Sequence, residues 1–374
     1  MQLTGEQRDL RDAVRGLLAR HRGQGADPAA GPDGGPGYDR ALWRRLCGEI
    51  GVAGLAIPQR YGGAGAGPAE THVVMEELGR ALTPSPMLGS AVLAAQALLA
   101  AGDTAACQRL LPGIAGGTAI AALAWTGEGG HWDPGKAAFD ATSGHVVTGE
   151  AHYVLDGDAA GVLLAAARTP DGIGLFEVDP RHTGVHRCAV TTMDTTRRLA
   201  VVRLDQVPGR PIGHEAGSRA LARARDLACI ALTAEQVGAA QRALDLTVAY
   251  TKVRVQFGRP IGSFQALQHR MADLHVLVES ARSLCYAAAF AAAEAGTGPP
   301  AEDARLGMLA AAAKAHCSQA LARAAGQMIQ LHGAIGITWE HDAHRYFKRA
   351  HGAGQLLGRP QEHVARIAAA LIDG

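Results

Sequence analysis

The sequence predicts a mostly helical fold with a central β domain, because the residue pattern changes twice along its 374 residues. Apolar residues recur at helical spacing in residues 1–116 and again after residue 213. Residues 117–212 instead carry short alternating apolar runs separated by Gly, Asp, Pro and Thr, as in strands joined by turns. We therefore expect an N-terminal helical domain (1–116), a middle antiparallel β domain (117–212) and a C-terminal four-helix bundle (213–374).

The N-terminal domain begins with a capping-box pattern, in which Thr4 and Gln7 can each bond the other's backbone N–H. Residues 22–38 are rich in Gly and Pro and predict a loop. The first helix places four apolar residues at helical spacing: Leu10, Val14, Leu17 and Leu18. Further helices are predicted at residues 38–50, around Met75 to Leu82, and in 87–116.

The middle domain and the bundle follow from the same reasoning. Six short runs predict strands: 119–125, 144–149, 153–155, 161–167, 174–178 and 198–204. In the bundle, helices are predicted on both sides of residues 254–265, at 301–332, and from His341 onwards.

Composition excludes several classes of protein and site. A formal net charge of +1 indicates neither a nucleic acid nor a membrane surface as partner. The six cysteines contain no CxxC pair, so we predict neither a disulfide framework nor a metal site. The first ten residues are polar, and no uninterrupted apolar stretch of about 18 residues occurs, so we predict no signal peptide or membrane span. These features predict a cytoplasmic enzyme.

The most informative stretch is 254–265, between two long helical segments. Gly258 and Pro260 predict the end of the first helix, and Ser263 is a candidate cap for the second. The stretch would hold Arg254, Gln256 and Phe257 at a corner between helices. An arginine, an amide and an aromatic ring together can pair with a phosphate, bond a sugar or base, and stack on a heteroaromatic ring.

This stretch resembles the FAD-binding signature of acyl-CoA dehydrogenases. The helical–β–helical order of the whole chain also matches the architecture of that family. The resemblance implies that Arg254, Gln256, Phe257 and Gln265 contact the adenine and pyrophosphate end of an FAD held mainly by a neighbouring subunit.

A second segment resembles another signature of the same family, usually Gln followed by a Gly-rich turn. Here Gln330 precedes Gly333 and Ala334, and Ala334 replaces the second Gly of the usual pattern. Glycines at the end of a helix let backbone N–H groups approach a phosphate closely. The resemblance therefore implies that this turn also binds FAD.

The resemblance places the flavin ring against the β domain. Trp125 and Thr126 match the loop that lies along the ring, and Thr126 can bond its edge. Tyr153 matches an aromatic residue beside the flavin, whereas Leu155 stands where the family has a hydroxyl donor. The bulk of the Trp132 region departs from the usual small residues and is expected to reshape the substrate entrance.

The catalytic base is missing from both family positions. The family removes an α-proton from an acyl thioester with a carboxylate, while the β-hydrogen leaves as hydride to the flavin. The matching positions here are Leu357 and Ala228, which carry no acid. Glu235 lies two helical turns beyond Ala228 on nearly the same face, so we expect it to be the candidate base. Asp226 points away from that face.

Three functions follow as hypotheses. The first is α,β-dehydrogenation of an acyl thioester on CoA or a carrier protein, with an electron-transfer flavoprotein or O2 as acceptor. The second is a flavin-dependent oxidase or monooxygenase that needs no α-proton base. The third is a non-catalytic partner subunit, since the chain resembles an actinobacterial subgroup that includes heteromeric steroid side-chain dehydrogenases. In each case we expect a homo- or hetero-oligomer arranged as a dimer of dimers.

Overall fold

The computed structural model describes residues 3–22, 37–213, 217–295 and 300–372. Most of the loop predicted at 22–38 lies outside these residues. The helices are α1 (Gly5–Arg22), α2 (Arg40–Arg45), α3 (Pro68–Arg80), α4 (Ala95–Ala101), α5 (Thr104–Ala115), α6 (Gly217–Val253), α7 (Gln265–Ala295), α8 (Pro300–His332), α9 (Ala343–Gln355) and α10 (Pro360–Ile372). The strands are β1 (Ala121–Ala124), β2 (Phe139–Ala141), β3 (Val146–Leu155), β4 (Val162–Thr169), β5 (Gly172–Val178), β6 (Val185–Val190), β7 (Leu199–Ile212), β8 (Val255–Gln256) and β9 (Arg259–Pro260).

The capping box predicted at the N-terminus is confirmed. The Thr4 N–H donates to Gln7 Oε1 at 3.1 Å, and the Gln7 N–H donates to Thr4 Oγ1 at 3.2 Å. The Gln7 amide also donates to Glu70 Oε1 at 2.9 Å, which ties the start of α1 to α3. The apolar face of α1, with Val14 and Leu17, is buried in the main core.

The β domain is a seven-stranded sheet that closes on itself. Its strand order is β1–β4–β2–β3–β7–β5, with β5 also paired to β4 and β6 paired to β7. Two of the pairs, β1–β4 and β2–β4, are parallel, so the prediction of an antiparallel domain is wrong for these pairs. The enclosed side is filled by large apolar residues such as Phe139, Leu163 and Phe176.

The C-terminal helices form a bundle, as predicted, but only three of the described ones are long. α6, α7 and α8 have 37, 31 and 33 residues, whereas α9 and α10 have 13 each. The expected fourth long helix is therefore replaced by two short ones. The break between them, at residues 356–359, brings the chain back against α6 and α8, and this return matters for the site.

The connections between regions fall near the predicted limits. α5 ends at Ala115 before β1 begins at Ala121, and β7 ends at Ile212 before α6 begins at Gly217. The division into three domains stays a prediction.

Within the described ranges, one helix, α7, is long and apolar enough to cross a membrane by length and composition. That is weak evidence for a span, because helices in the core of a bundle meet the same criteria, and α7 buries Ala281, Cys285 and Ala288 against its neighbours.

Candidate functional site

A cavity of about 440 Å³ lies between the sheet and the C-terminal end of α9. Tyr153 on β3 and the loop at 129–132 line one side, and residues 192–199 before and at the start of β7 continue it. The opposite side comes from α9 and the turn after it, including His351, Gln355 and Leu356. This volume is within the range of small-molecule sites, about 300–1,000 Å³.

Tyr153 occupies a strained position at the edge of this cavity. Its φ is +56°, a region that bulky residues seldom adopt. The strain coincides with a register shift of β3 against β7 between Ala151 and Val154. The Tyr153 hydroxyl donates to the Glu128 carbonyl at 3.2 Å, which leaves the ring at the cavity wall. Strain of this kind is often found at functional sites.

Trp125 and Thr126 lie buried just after β1. Their backbone carbonyls accept from Ala138 at 2.8 Å and from His152 at 2.7 Å, so the chain here is fixed. Within the described part of the chain, Trp125 Nε1 and Thr126 Oγ1 nevertheless have no hydrogen-bond partner. Trp132, which lines the cavity, packs edge-on against Trp125 with ring centroids 5.4 Å apart. Trp125 therefore packs behind the cavity wall without lining the cavity, and its segment carries two buried polar atoms that a hydrogen-bonding ligand could satisfy.

Glu235, the candidate base, lies behind the cavity wall in a buried cluster of charges. Its Oε1 accepts from the Arg197 guanidinium at 2.5 Å and is 3.5 Å from Nη1 of Arg349. Arg349 Nε is in turn 3.5 Å from Asp194 Oδ2. The cluster therefore pairs two carboxylates with two guanidinium groups. Arg197 lines the large cavity, whereas Glu235 borders a separate one of about 20 Å³. This geometry favours a structural role for Glu235, and its catalytic role stays a prediction without support from the contacts.

Sequence reasoning did not find Arg197, Arg349 or Asp194. A signal was present for Arg349, which occupies an apolar face of α9 together with Tyr346, Ala350 and Ala353. A charged residue on a buried face predicts a buried group of opposite charge beside it. The sequence does not identify the residue that carries that charge.

The two positions where the family carries its base adjoin each other. Ala228 is fully buried on α6, and the next residue, Cys229, places its Sγ 3.9 Å from the Leu357 carbonyl. Leu357 is buried with a φ of +60°, a second strained residue at a predicted site position. The Asp226 carboxylate is paired with Arg366, which donates a 2.7 Å hydrogen bond to each of its oxygens.

The predicted corner at 254–265 is a hairpin between α6 and α7. β8 and β9 pair Val255 with Pro260 and Gln256 with Arg259, leaving a two-residue turn. Phe257 and Gly258 in this turn have φ of +54° and +76°, the signs required by a type I′ turn. Phe257 is 91% exposed, so this strained turn leaves its aromatic ring in contact with solvent.

The cap predicted at Ser263 is wrong. The Ser263 hydroxyl donates to the Pro260 carbonyl at 2.7 Å, inside a 3-10 turn that precedes α7.

None of the residues predicted to bind the distal end of FAD lines the large cavity. All seven are exposed on the hairpin, at the start of α7 or at the end of α8: Arg254, Gln256, Phe257, Gln265, Gln330, Gly333 and Ala334. Gly333 begins a 3-10 turn with a φ of +63°. The residues that resemble FAD contacts therefore fall into two separate sets, one at the cavity and one on the exposed hairpin and helix ends. This arrangement suits a ligand shared between protomers.

Replacing Asp156 with Asn is expected to remove part of the pH dependence of stability. Asp156 is buried beside Arg197, and burial raises the pKa of its carboxyl from 3.8 to about 7. Between these values the folded state binds more protons than the unfolded state, so this group makes stability fall as the pH rises from about 4 to 7. The variant should lose that slope and be the more stable form above pH 7. Thermal unfolding at pH 4 to 8 measures it, and an unchanged slope contradicts the assignment.

Two family models match the chain. The acyl-CoA dehydrogenase N-terminal domain matches residues 4–118, and the acyl-CoA dehydrogenase C-terminal domain matches residues 215–372. Among curated proteins, acyl-CoA dehydrogenase IpdE2 of Mycobacterium tuberculosis is 44% identical over 362 residues, covering 97% of this chain and 96% of the relative.

Two solved structures are similar to this chain over nearly its whole length. The ChsE4–ChsE5 complex from Mycobacterium tuberculosis matches with a TM-score of 0.87 and 28% identity, covering 100% of this chain and 99% of that one. A variant of the Tcur3481–Tcur3483 steroid ACAD matches with a TM-score of 0.86 and 31% identity, covering 99% and 98%.

Proposed function

Since the chain belongs to the acyl-CoA dehydrogenase family, we propose that it is a subunit of an FAD-dependent enzyme that dehydrogenates an acyl thioester between its α and β carbons. The observation that carries the proposal is the occurrence of two buried donors without a partner among the described residues, Trp125 Nε1 and Thr126 Oγ1, next to Trp132 of the cavity wall, against which the Trp125 ring packs. They fit the polar edge of a flavin, whose ring needs both a flat apolar wall and hydrogen-bond donors.

Each part of the site has a role in this reaction. FAD, when bound, supplies the acceptor for the hydride. Thr126 and Trp125 would donate hydrogen bonds to it, and Tyr153 would provide part of the wall against it. The backbone N–H of Leu357 donates to the thioester oxygen, which stabilises the negative charge that develops there as the α-proton leaves.

The α-proton needs a carboxylate base of the kind the family uses, and the described residues lining the cavity include no uncommitted carboxylate. Two carboxylates line that cavity, and both are engaged. Asp194 accepts from Thr196 and lies beside Arg349, while Glu362 accepts from the Arg359 N–H at 2.9 Å to cap α10. This observation favours the more specific proposal that the chain acts in a heteromer, with a related second chain contributing the carboxylate.

Exposed apolar residues near the hairpin and the turn after α8 are suited to that contact. Phe257, Ile337 and Trp339 are 91%, 70% and 71% exposed, an arrangement typical of surfaces that another protein covers. A partner docked here would bring its own flavin within reach of Arg254. The electron acceptor, an electron-transfer flavoprotein or O2, stays a prediction, as does the cytoplasmic location.

Replacing Arg254 with Ala is expected to weaken FAD retention about tenfold or more, because a charge-assisted hydrogen bond contributes about 1.5–3 kcal/mol. The matched control is Arg259→Ala in the same hairpin, since the Arg259 guanidinium already stacks on Phe264 at 4.1 Å. The control should retain FAD. Flavin absorbance that co-elutes with the protein gives the measurement, on the chain alone and co-expressed with a second dehydrogenase-like chain.

The same preparations test the reaction. Anaerobic addition of a panel of acyl-CoA thioesters should bleach the flavin of the co-expressed complex but not that of the chain alone. Full bleaching by the chain alone would exclude the partner requirement. Absence of flavin from every preparation, even after incubation with FAD, would contradict the proposed function itself. Thioester-dependent hydrogen peroxide in place of bleaching would identify an oxidase.

A further inference from the structure

A short segment of backbone, residues 353–358, separates two cavities, and we call it the strap. Its Leu356 lines the 440 Å³ cavity, while Leu357 and Gly358 line a second cavity of about 340 Å³. The strap carries the Leu357 N–H to which the proposed function gives a role. Whatever fixes the strap therefore fixes the geometry of the site.

Lys314 on α8 is buried directly beneath the strap. Its side chain has 0% exposure, and its Nζ donates to the carbonyl oxygens of Gly354 at 3.4 Å and Gly358 at 3.1 Å. A third bond, at 3.1 Å, goes to Ser318 Oγ one turn along α8. This ammonium thus donates to two neutral carbonyls and a hydroxyl, and the two carbonyls lie near the two ends of the strap.

Two neighbours hold the rest of the strap. The Gln236 amide donates to Ser318 Oγ at 3.0 Å and to the Ala353 carbonyl at 3.3 Å. His363 on α10 donates from Nε2 to the Leu357 carbonyl at 3.0 Å. The carbonyls of four of the six strap residues therefore accept hydrogen bonds from side chains on three helices, α6, α8 and α10.

These hydrogen bonds stabilise a strained backbone conformation at the end of the strap. Leu357 has a φ of +60° and Gly358 a φ of +109°. A Cβ on Gly358 would lie 2.9 Å from His363 Nε2, so only glycine fits there. Strained backbone persists only where its surroundings impose it, and the three donors supply that constraint.

We infer that Lys314 is a positioning residue for the site: by holding the carbonyls of Gly354 and Gly358, its ammonium sets the path of the strap and hence the place of the Leu357 N–H. A fully buried ammonium is costly to folding. An apolar side chain of the same length would avoid that cost, so the charge is explained by what it holds. The link to thioester binding rests on the proposed function, whereas the effect on the strap does not.

The hydrogen bonds from Lys314 depend on pH, because burial lowers the pKa of its ammonium to about 8. Three neighbouring groups raise this pKa: Cys229 on α6, Cys317 on α8 and Glu362 on α10. Arg197, in the turn before β7, lowers it further, and the neighbouring His363 stays neutral because burial lowers its pKa to about 4. Below pH 8 the ammonium holds the strap, and above it the amine donates weaker bonds.

Hydrogen exchange on the full chain tests the inference without flavin or substrate. In the wild type, exchange of the strap amides, corrected for their intrinsic rates, should rise about tenfold between pH 7 and pH 9.5, since bonds from a charged donor are the stronger ones. Lys314→Met should raise it by a similar factor already at pH 7 and remove the pH step. Lys314→Arg, which keeps its charge, should keep exchange slow across the range.

The control is His316→Ala on the same helix, whose ring hydrogen-bonds the Ser280 hydroxyl on α7 at 2.8 Å. It should leave the strap profile unchanged. A flat wild-type profile, or a Met variant that follows the wild type, would overturn the inference. In the FAD-loaded protein, Lys314→Met should also weaken acyl-CoA binding about tenfold. Altered exchange without any flavin binding would leave the positioning role intact and contradict only the proposed function.

Discussion

Replacing Gly238 with Ala is expected to lower the free energy of unfolding by about 3 kcal/mol, the upper part of the usual range for overpacking. α6 crosses α3 here with backbone against backbone. A Cβ at Gly238 would overlap the Glu76 carbonyl oxygen and lie 3.0 Å from the Arg80 N. On the other helix, a Cβ at Gly79 would overlap the Glu235 carbonyl oxygen. Neither overlap can be relieved by a side chain turning away, so the helices must separate.

Gly326→Ala supplies the control for this substitution. Gly326 lies within α8, and a Cβ there would meet nothing within 4 Å. Alanine is a better helix former than glycine by about 1 kcal/mol, so this variant should be the more stable one. Urea unfolding of both variants measures the contrast. A Gly238→Ala protein as stable as the wild type would show that the crossing is looser than the structure has it.

Local pattern predicted the fold well because the information lies close together in the sequence. The capping box of Thr4 and Gln7, the helical faces and the strand-rich middle all depend on residues a few positions apart. The parallel pairing of β1 and β2 with β4 was not predictable in this way, because it joins strands distant in sequence and alternation does not reveal direction. The hairpin at Phe257 was missed because a Phe at positive φ opposes the usual turn preferences.

The contacts that support the candidate site were not predictable from the sequence. Resemblance identified Thr126 and Tyr153 as flavin contacts, and this stays a prediction: Tyr153 lines the cavity, whereas Thr126 is buried and does not line it. Lys314 gave no signal, since a lysine in a helix is ordinarily exposed. Helical spacing placed Glu235 near Ala228, but α6 is buried on every side over residues 226–240, and spacing along one helix says nothing of what packs against it. The arginines that meet Glu235 come from the turn before β7 and from α9.

Replacing Glu235 with Gln decides between a catalytic and a structural carboxylate. The side chains of Glu235, Arg197 and Arg349 are 8%, 9% and 3% exposed, so water cannot compensate a lost charge. Two buried guanidinium groups would then face only Asp194 and Asp156, and burial raises the pKa of the Asp156 carboxyl to about 7. Breaking a buried pair by removing one partner costs about 3–5 kcal/mol, and we expect a loss near the lower figure because the Gln oxygen still accepts a bond.

Three comparisons make this result specific. Asp140→Asn breaks the bidentate pair with Arg168, whose side chains are 68% and 57% exposed, and should cost under about 1 kcal/mol. The double variant Glu235→Gln/Arg197→Met removes one charge of each sign and should recover part of the stability. If Glu235 were instead the base, Glu235→Gln would keep the stability of the wild type while flavin reduction by thioester stopped. A destabilised variant that still reduces its flavin, measured below its unfolding temperature in the complex, would place the base outside Glu235, as expected from an ion-paired carboxylate that does not reach the cavity.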